Sequence, residues 1–71
     1  TTNIFPDRTG NIHVVADAVI ETIKVYSTSG SLCITETPAS ESAVINAGDL
    51  KGIYVVEVQT AGSVKRAKVR L

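Results

Sequence analysis

Asp49-Leu50-Lys51-Gly52-Ile53-Tyr54-Val55-Val56-Glu57-Val58, then Ala61-Gly62, then Lys65-Arg66-Ala67-Lys68-Val69-Arg70-Leu71, decides the fold class of this chain. Tyr54, Val56 and Val58 fall on one side of an extended segment, with Glu57 and Gln59 on the other, the period of two that marks a half-buried strand. In the following segment Ala67, Val69 and Leu71 share a face, and Arg66, Lys68 and Arg70 lie opposite. Gly62 supplies the positive φ of a tight turn between them. Gly52 is expected to let the loop from Leu50 pack closely on the sheet, with Leu50 plugging its open end. The last strand runs to the final residue, so that end is expected to be tied into the sheet.

The same period recurs upstream. Ile12 and Val14 alternate with His13 and Val15, Ile23 and Val25 with Thr22 and Lys24, Leu32 and Ile34 with Cys33 and Thr35. β-branched residues dominate these runs, which favours strand over helix. Breakers separate them at Pro6 to Gly10, Ser27 to Gly30, Thr37 to Ser40, Gly48 and Ala61-Gly62, with Gly30 serving a hairpin as Gly62 does. The sequence therefore predicts strands near 3–6, 11–15, 20–27, 31–36, 42–46, 52–60 and 63–71, with Ala16 to Ala18 as a connector. About seven short strands at this spacing predict an all-β chain, an immunoglobulin-like antiparallel β-sandwich. The expected core is Ile12, Val14, Ile23, Val25, Leu32, Ile34, Ile45, Tyr54, Val56, Val58, Val69 and Leu71.

Seventy-one residues make one domain, 1–71. A chain of this size buries only about 60% of the surface that its unfolded form exposes, so its margin of stability is thin. Hydrophobic residues make up 44% and aromatics 4% (Phe5, Tyr26 and Tyr54), so the core is aliphatic. Seven basic residues balance seven acidic ones, which leaves no large field to attract nucleic acid or an anionic membrane. No apolar run approaches the roughly 18 residues of a membrane span. The start at Thr1-Thr2-Asn3, without Met, gives the expectation of a fragment of a larger protein.

Candidate chemistry is sparse. His13 is the single histidine and falls out of phase with Ile12 and Val14, on the solvent side, with no carboxylate and nucleophile set evident around it. Cys33 is the single cysteine, so no intrachain disulfide forms; it is expected to be a small, semi-buried residue at a sheet edge or outer face. No His and Cys spacing fits a metal site, and the scattered carboxylates form neither an acid–base pair nor a calcium loop. No phosphate-cradling glycine loop or nucleophile elbow occurs. Catalytic residues, metal ligands and cofactor-binding residues are thus expected to be none. The run from Lys65 to Arg70 alternates charge with apolar residues and lacks interleaved aromatics, unlike a nucleic-acid patch. Basic residues guarding an edge strand against aggregation explain it, alone or combined with recognition.

Four motifs in order resemble one family, the C-terminal sorting domain of cargo of the type IX secretion system (Por secretion system) of Bacteroidetes. Ile4-Phe5-Pro6-Asp7-Arg8 resembles its entry motif, a hydrophobic-Tyr-Pro-Asn-Pro segment, followed by the strand Asn11-Ile12-His13-Val14. Val25-Tyr26-Ser27-Thr28-Ser29-Gly30-Ser31-Leu32-Cys33-Ile34 resembles the middle motif. Leu50 to Val56, with Lys68-Val69, resembles the closing motif. The chain departs from the pattern at the second entry proline, at Ser27 in place of Asp, and by one residue fewer between Leu50 and Gly52. The resemblance spans nearly the whole length. It implies a non-catalytic transport signal that passes through the periplasm to the outer membrane, cell surface or medium. Its partners would be the translocon and a sortase-like peptidase that in many members cleaves and attaches the cargo. It carries the recognition role onto Gly52, Tyr54, Lys65, Lys68, Val69, Arg70 and Leu71, with Pro6, Gly30, Leu50 and Gly62 as structural motif residues.

An unpaired last strand could be extended by a partner through β-augmentation or could pair with a copy of itself as a homodimer. Two further readings share the fold and composition, since fold does not decide function. One is an immunoglobulin-like adhesion module, and the other is an accessory domain packed beside a catalytic one.

Overall fold

The computed structural model describes residues 2–71. They form six strands and no helix: β1 (Asn3–Pro6), β2 (Asn11–Ser27), β3 (Leu32–Glu36), β4 (Ser40–Asn46), β5 (Ile53–Thr60) and β6 (Ser63–Arg70). All pairings are antiparallel, within one six-stranded sheet. The all-β expectation holds. The count is six because 11–15 and 20–27 are not separate strands; both belong to the 17 residues of β2, and Ala16 to Ala18 lie within it rather than forming a connector.

β2 is the hub. Its first half lies between β1 and β4, through Ile4↔Val14 and Val14↔Ala43. Its second half lies between β3 and β5, through Val25↔Ile34 and Val25↔Val56. β6 then pairs only with β5. Where the partners change over, between Val15↔Ser42 and Ile20↔Ser40, four residues of β2 (Ala16 to Val19) stand against the single Glu41. This excess curls the sheet. Ala16, Asp17 and Ala18 are poor strand formers, so the bend takes the residues that a straight ladder would use least.

Two bulges then decide which side chains point inward. Ile20 pairs with Thr60 but Thr22 pairs with Gln59, leaving Glu21 as the extra residue. Ile12, Val14, Ala16 and Ile20 are buried at even positions before it, and Ile23 and Val25 at odd positions after it. One inserted residue flips the face of everything downstream, so the bulge lets both halves of β2 face one core. The second bulge is at Cys33, between Val25↔Ile34 and Tyr26↔Leu32. It turns Leu32 to the outer face beside Tyr26, where Leu32 is 54% exposed, against the expectation that it joins Ile34 in the core. Cys33 is exposed rather than semi-buried.

The buried residues are Ile12, Val14, Ala16, Ile20, Ile23, Val25, Ile45, Ala47, Val56, Val58 and Val69, with Ile4, Ile34, Ala43, Leu50, Tyr54 and Leu71 packed around them. No aromatic ring is fully buried. Thr60, the one buried polar residue among those described, lies within 3.3 Å of the Ser63 hydroxyl. Among the described residues no helix is long and apolar enough to cross a membrane.

Candidate functional site

The β5–β6 hairpin brings most of the sequence-selected residues together but on different faces. Val56↔Ala67, Tyr54↔Val69 and Val58↔Lys65 stand on the inner face; Ile53↔Arg70, Val55↔Lys68 and Glu57↔Arg66 stand on the outer one. Val69 is buried, and Tyr54 and Leu71 are half-buried against the core, so these three act within the fold. Leu71 extends the ladder: its N–H donates to the Gly52 carbonyl at 2.7 Å, and its carbonyl accepts from the Gly52 N–H at 3.1 Å. Gly52 has φ +104°, and nothing lies near the position of an added Cβ. Backbone conformation, not close packing of the Leu50 loop, requires glycine there. Leu50 does pack against the core, its N–H donating to the Ala47 carbonyl.

Lys65 points to the inner side of β6, and its Nζ donates to the Thr2 carbonyl at 2.8 Å, linking the start of β6 to the chain entering β1. An inward-pointing charge on an edge strand blocks sheet extension at that point. Beyond it, Arg66, Lys68 and Arg70 are exposed on the outer face. The Arg66 Nε donates to Glu57 Oε1 at 2.8 Å. Lys68 and Arg70 make no ion pair among the described residues. Two cations without an ion pair therefore stand two residues apart on β6, whose ladder partner is β5 alone and which β1 approaches on the side where Lys65 reaches Thr2. Pro6, Gly30 and Gly62 sit at the end of β1 and in the two turns, the glycines with φ of 91° and 85°.

The first hairpin holds a cluster that sequence reasoning missed. Asp7 follows β1, and its Oδ1 accepts from the Thr9 N–H at 2.8 Å, the Thr9 hydroxyl at 2.7 Å and the Asn11 N–H at 3.0 Å. Its Oδ2 lies 2.6 Å from His13 Nε2, and an ionised carboxylate only accepts, so the imidazole donates. The His13 ring stacks on Phe5, with centroids 5.2 Å apart and planes 4° from parallel. Donation from the Thr9 side chain first, then from His13 and the Asn11 backbone, holds the Asp7 carboxyl well below the usual carboxylate range.

His13 is thus on the outer face, as expected, but half-buried and held by a carboxylate. A hairpin with Pro6↔Ile12 sets Phe5 directly opposite His13; the signal available in the sequence was the Asp7-to-Gly10 turn between two short runs. The carboxylate stands between hydroxyl and imidazole, whereas a nucleophile relay needs the imidazole in the middle. This is the geometry of a clasp that fixes the turn. Among the described residues no group of three or more His, Cys, Asp or Glu could hold a metal ion.

No family model, no curated protein and no solved structure matches this chain.

Proposed function

We propose that the chain is a sorting signal of the type IX kind, recognised through its β5–β6 hairpin and directing an attached protein through the periplasm and across the outer membrane. The observation that carries the reading is the composition of β6: an edge strand in the sheet order, buried at Val69, that presents Lys68 and Arg70 without an acidic partner among the described residues. Such a strand offers backbone groups and charge for a second protein to pair with. The four sequence motifs support it from another direction, since Gly30 and Gly62 occupy hairpin turns and the closing motif is β5 with its flanking loop.

The role assigned to the domain is binding. Cleavage and attachment of cargo belong to the translocon and its sortase-like peptidase. The immunoglobulin-like adhesion or accessory module is the competing reading, with the same surface turned to another use.

The test is a reporter with an N-terminal export signal and this chain fused to its C terminus, in a host with a type IX system. Appearance at the surface or in the medium supports the reading. A reporter that stays folded in the periplasm of a competent host overturns it in favour of the adhesion module. Lys68→Ala changes an exposed side chain and is expected to move stability by no more than about half a kcal/mol. Loss of export by this variant identifies Lys68 as a contact, and full export identifies it as a solubility residue.

A further inference from the structure

We infer that the partner of the β6 edge is an extended protein segment carrying two acidic residues two positions apart with an apolar residue between them. The inference deepens the export reading and rests on it for the choice of β6 as the recognised edge.

β5 already shows which chemistry this strand accepts on its paired side. Glu57 stands opposite Arg66 and accepts a hydrogen bond from its Nε at 2.8 Å, while Val56 and Val58 flank it on the inner face. On the free side the first cation is spent on Glu57, and the next two, Lys68 and Arg70, are not paired among the described residues. A strand added at about 4.8 Å places its side chains opposite those of β6 in the same alternation. Acidic residues opposite Lys68 and Arg70 would form cross-strand pairs on the outer face. The residue between them would fall opposite Val69 and extend the rim of the core, which favours an apolar side chain.

A second copy of the chain is a poor occupant of this edge. Pairing β6 with β6 sets Lys and Arg against Lys and Arg, and like charges directly opposite one another destabilise a ladder. Lys65, tied to Thr2, confines pairing to the stretch from Arg66 onward.

The experiment titrates the intact chain with a short labelled peptide containing Glu-Val-Glu in an extended polar context, and with a peptide of the same composition reordered to Glu-Glu-Val. The expected result is saturable binding of the first, amide shifts concentrated in β6, and weakening by at least about tenfold when Lys68 and Arg70 are both changed to Glu. Should that variant unfold, Lys68→Gln with Arg70→Gln keeps the side-chain bulk and serves in its place. No binding of the Glu-Val-Glu peptide, equal binding of the reordered peptide, or shifts spread away from β6 would each overturn the inference. So would an equal affinity for polyphosphate, which shows simple anion attraction without strand pairing. The measurement needs no secretion machinery, so the partner chemistry and the export reading can fail separately.

Discussion

Gly10 meets Gly48 backbone to backbone. Its carbonyl accepts from the Ala47 N–H at 3.1 Å, its φ is +88°, and a Cβ built on it would lie 3.0 Å from the Gly48 Cα. Gly10→Ala therefore meets a left-handed backbone penalty of about 1–3 kcal/mol together with a clash against main chain that cannot swing away. Gly30 has a similar φ of +91° but open space around it. Urea unfolding is expected to show a distinctly larger loss for Gly10→Ala than for Gly30→Ala; equal losses would remove the close approach as a cause. At Asp7 the prediction concerns pH. Its carboxyl titrates lower in the fold than in the unfolded chain, so its stabilising effect is complete above the ordinary carboxylate range and fades as pH falls through that range toward the lower folded value. The stability gap between the native chain and Asp7→Asn should accordingly narrow as denaturation is moved from about pH 6 to about pH 2. A gap unchanged over that interval would show that the clasp works without the charge.

At the level of the strand, the two bulges matter more than propensity. Glu21 is the extra residue that the bulge absorbs, so that Ile20 and Ile23, three positions apart, still lie on the same side of β2. Deleting it leaves Ile20, Thr22 and Ile23 in unbroken alternation against Thr60, Gln59 and Val58, so both halves of β2 keep their apolar face inward and cooperative thermal unfolding should persist. Loss of the cooperative transition would contradict the reading of Glu21 as a residue that the ladder does not pair. The Cys33 bulge gives a paired test. Ile20 is completely buried and Leu32 is 54% exposed, so Ile20→Ala should cost about 2–5 kcal/mol and Leu32→Ala within about half a kcal/mol. Alternation read along the sequence places Leu32 inward and leaves Ile20 at the start of a strand. A bulge adds one residue without any compositional mark, so reading by period loses the face at that point and stays wrong until the next irregularity.

The whole molecule folds around one strand. Every ladder except β5–β6 uses β2, and β6 completes the cover of Tyr54, Val56 and Val58 through Val69, Ala67 and Lys65. A domain this size has about 4–10 kcal/mol of stability in all. Removing 67–71 takes Val69 from the core and breaks both hydrogen bonds between Leu71 and Gly52. The shortened chain should show no cooperative unfolding and should fail as an export signal for that reason alone. Lys68→Ala, folded and close to native stability, separates recognition from folding. A shortened chain that still unfolds cooperatively would show that β6 is dispensable to the core.

The strands, their antiparallel hairpins and most of the core were readable in the residues, because alternation of β-branched side chains and turn-forming glycines are local properties of the chain. Ile12, Val14, Ile23, Val25, Ile45, Val56, Val58 and Val69 are buried as that alternation predicts. The outward face of the last strand was equally local, since Lys68 and Arg70 simply fall opposite Val69. What the chain's own pattern could not contain is where distant segments meet. The joining of 11–15 and 20–27 into one curled strand follows from the ladders that β4 and β5 lay along it. The approach of Gly10 to Gly48, the Lys65 reach to Thr2 and the stacking of Phe5 on His13 exist only once strands far apart in sequence, or folded back across a turn, are brought within a few ångströms of one another. Local preference writes the elements, and cross-strand register decides which side chains they bring together.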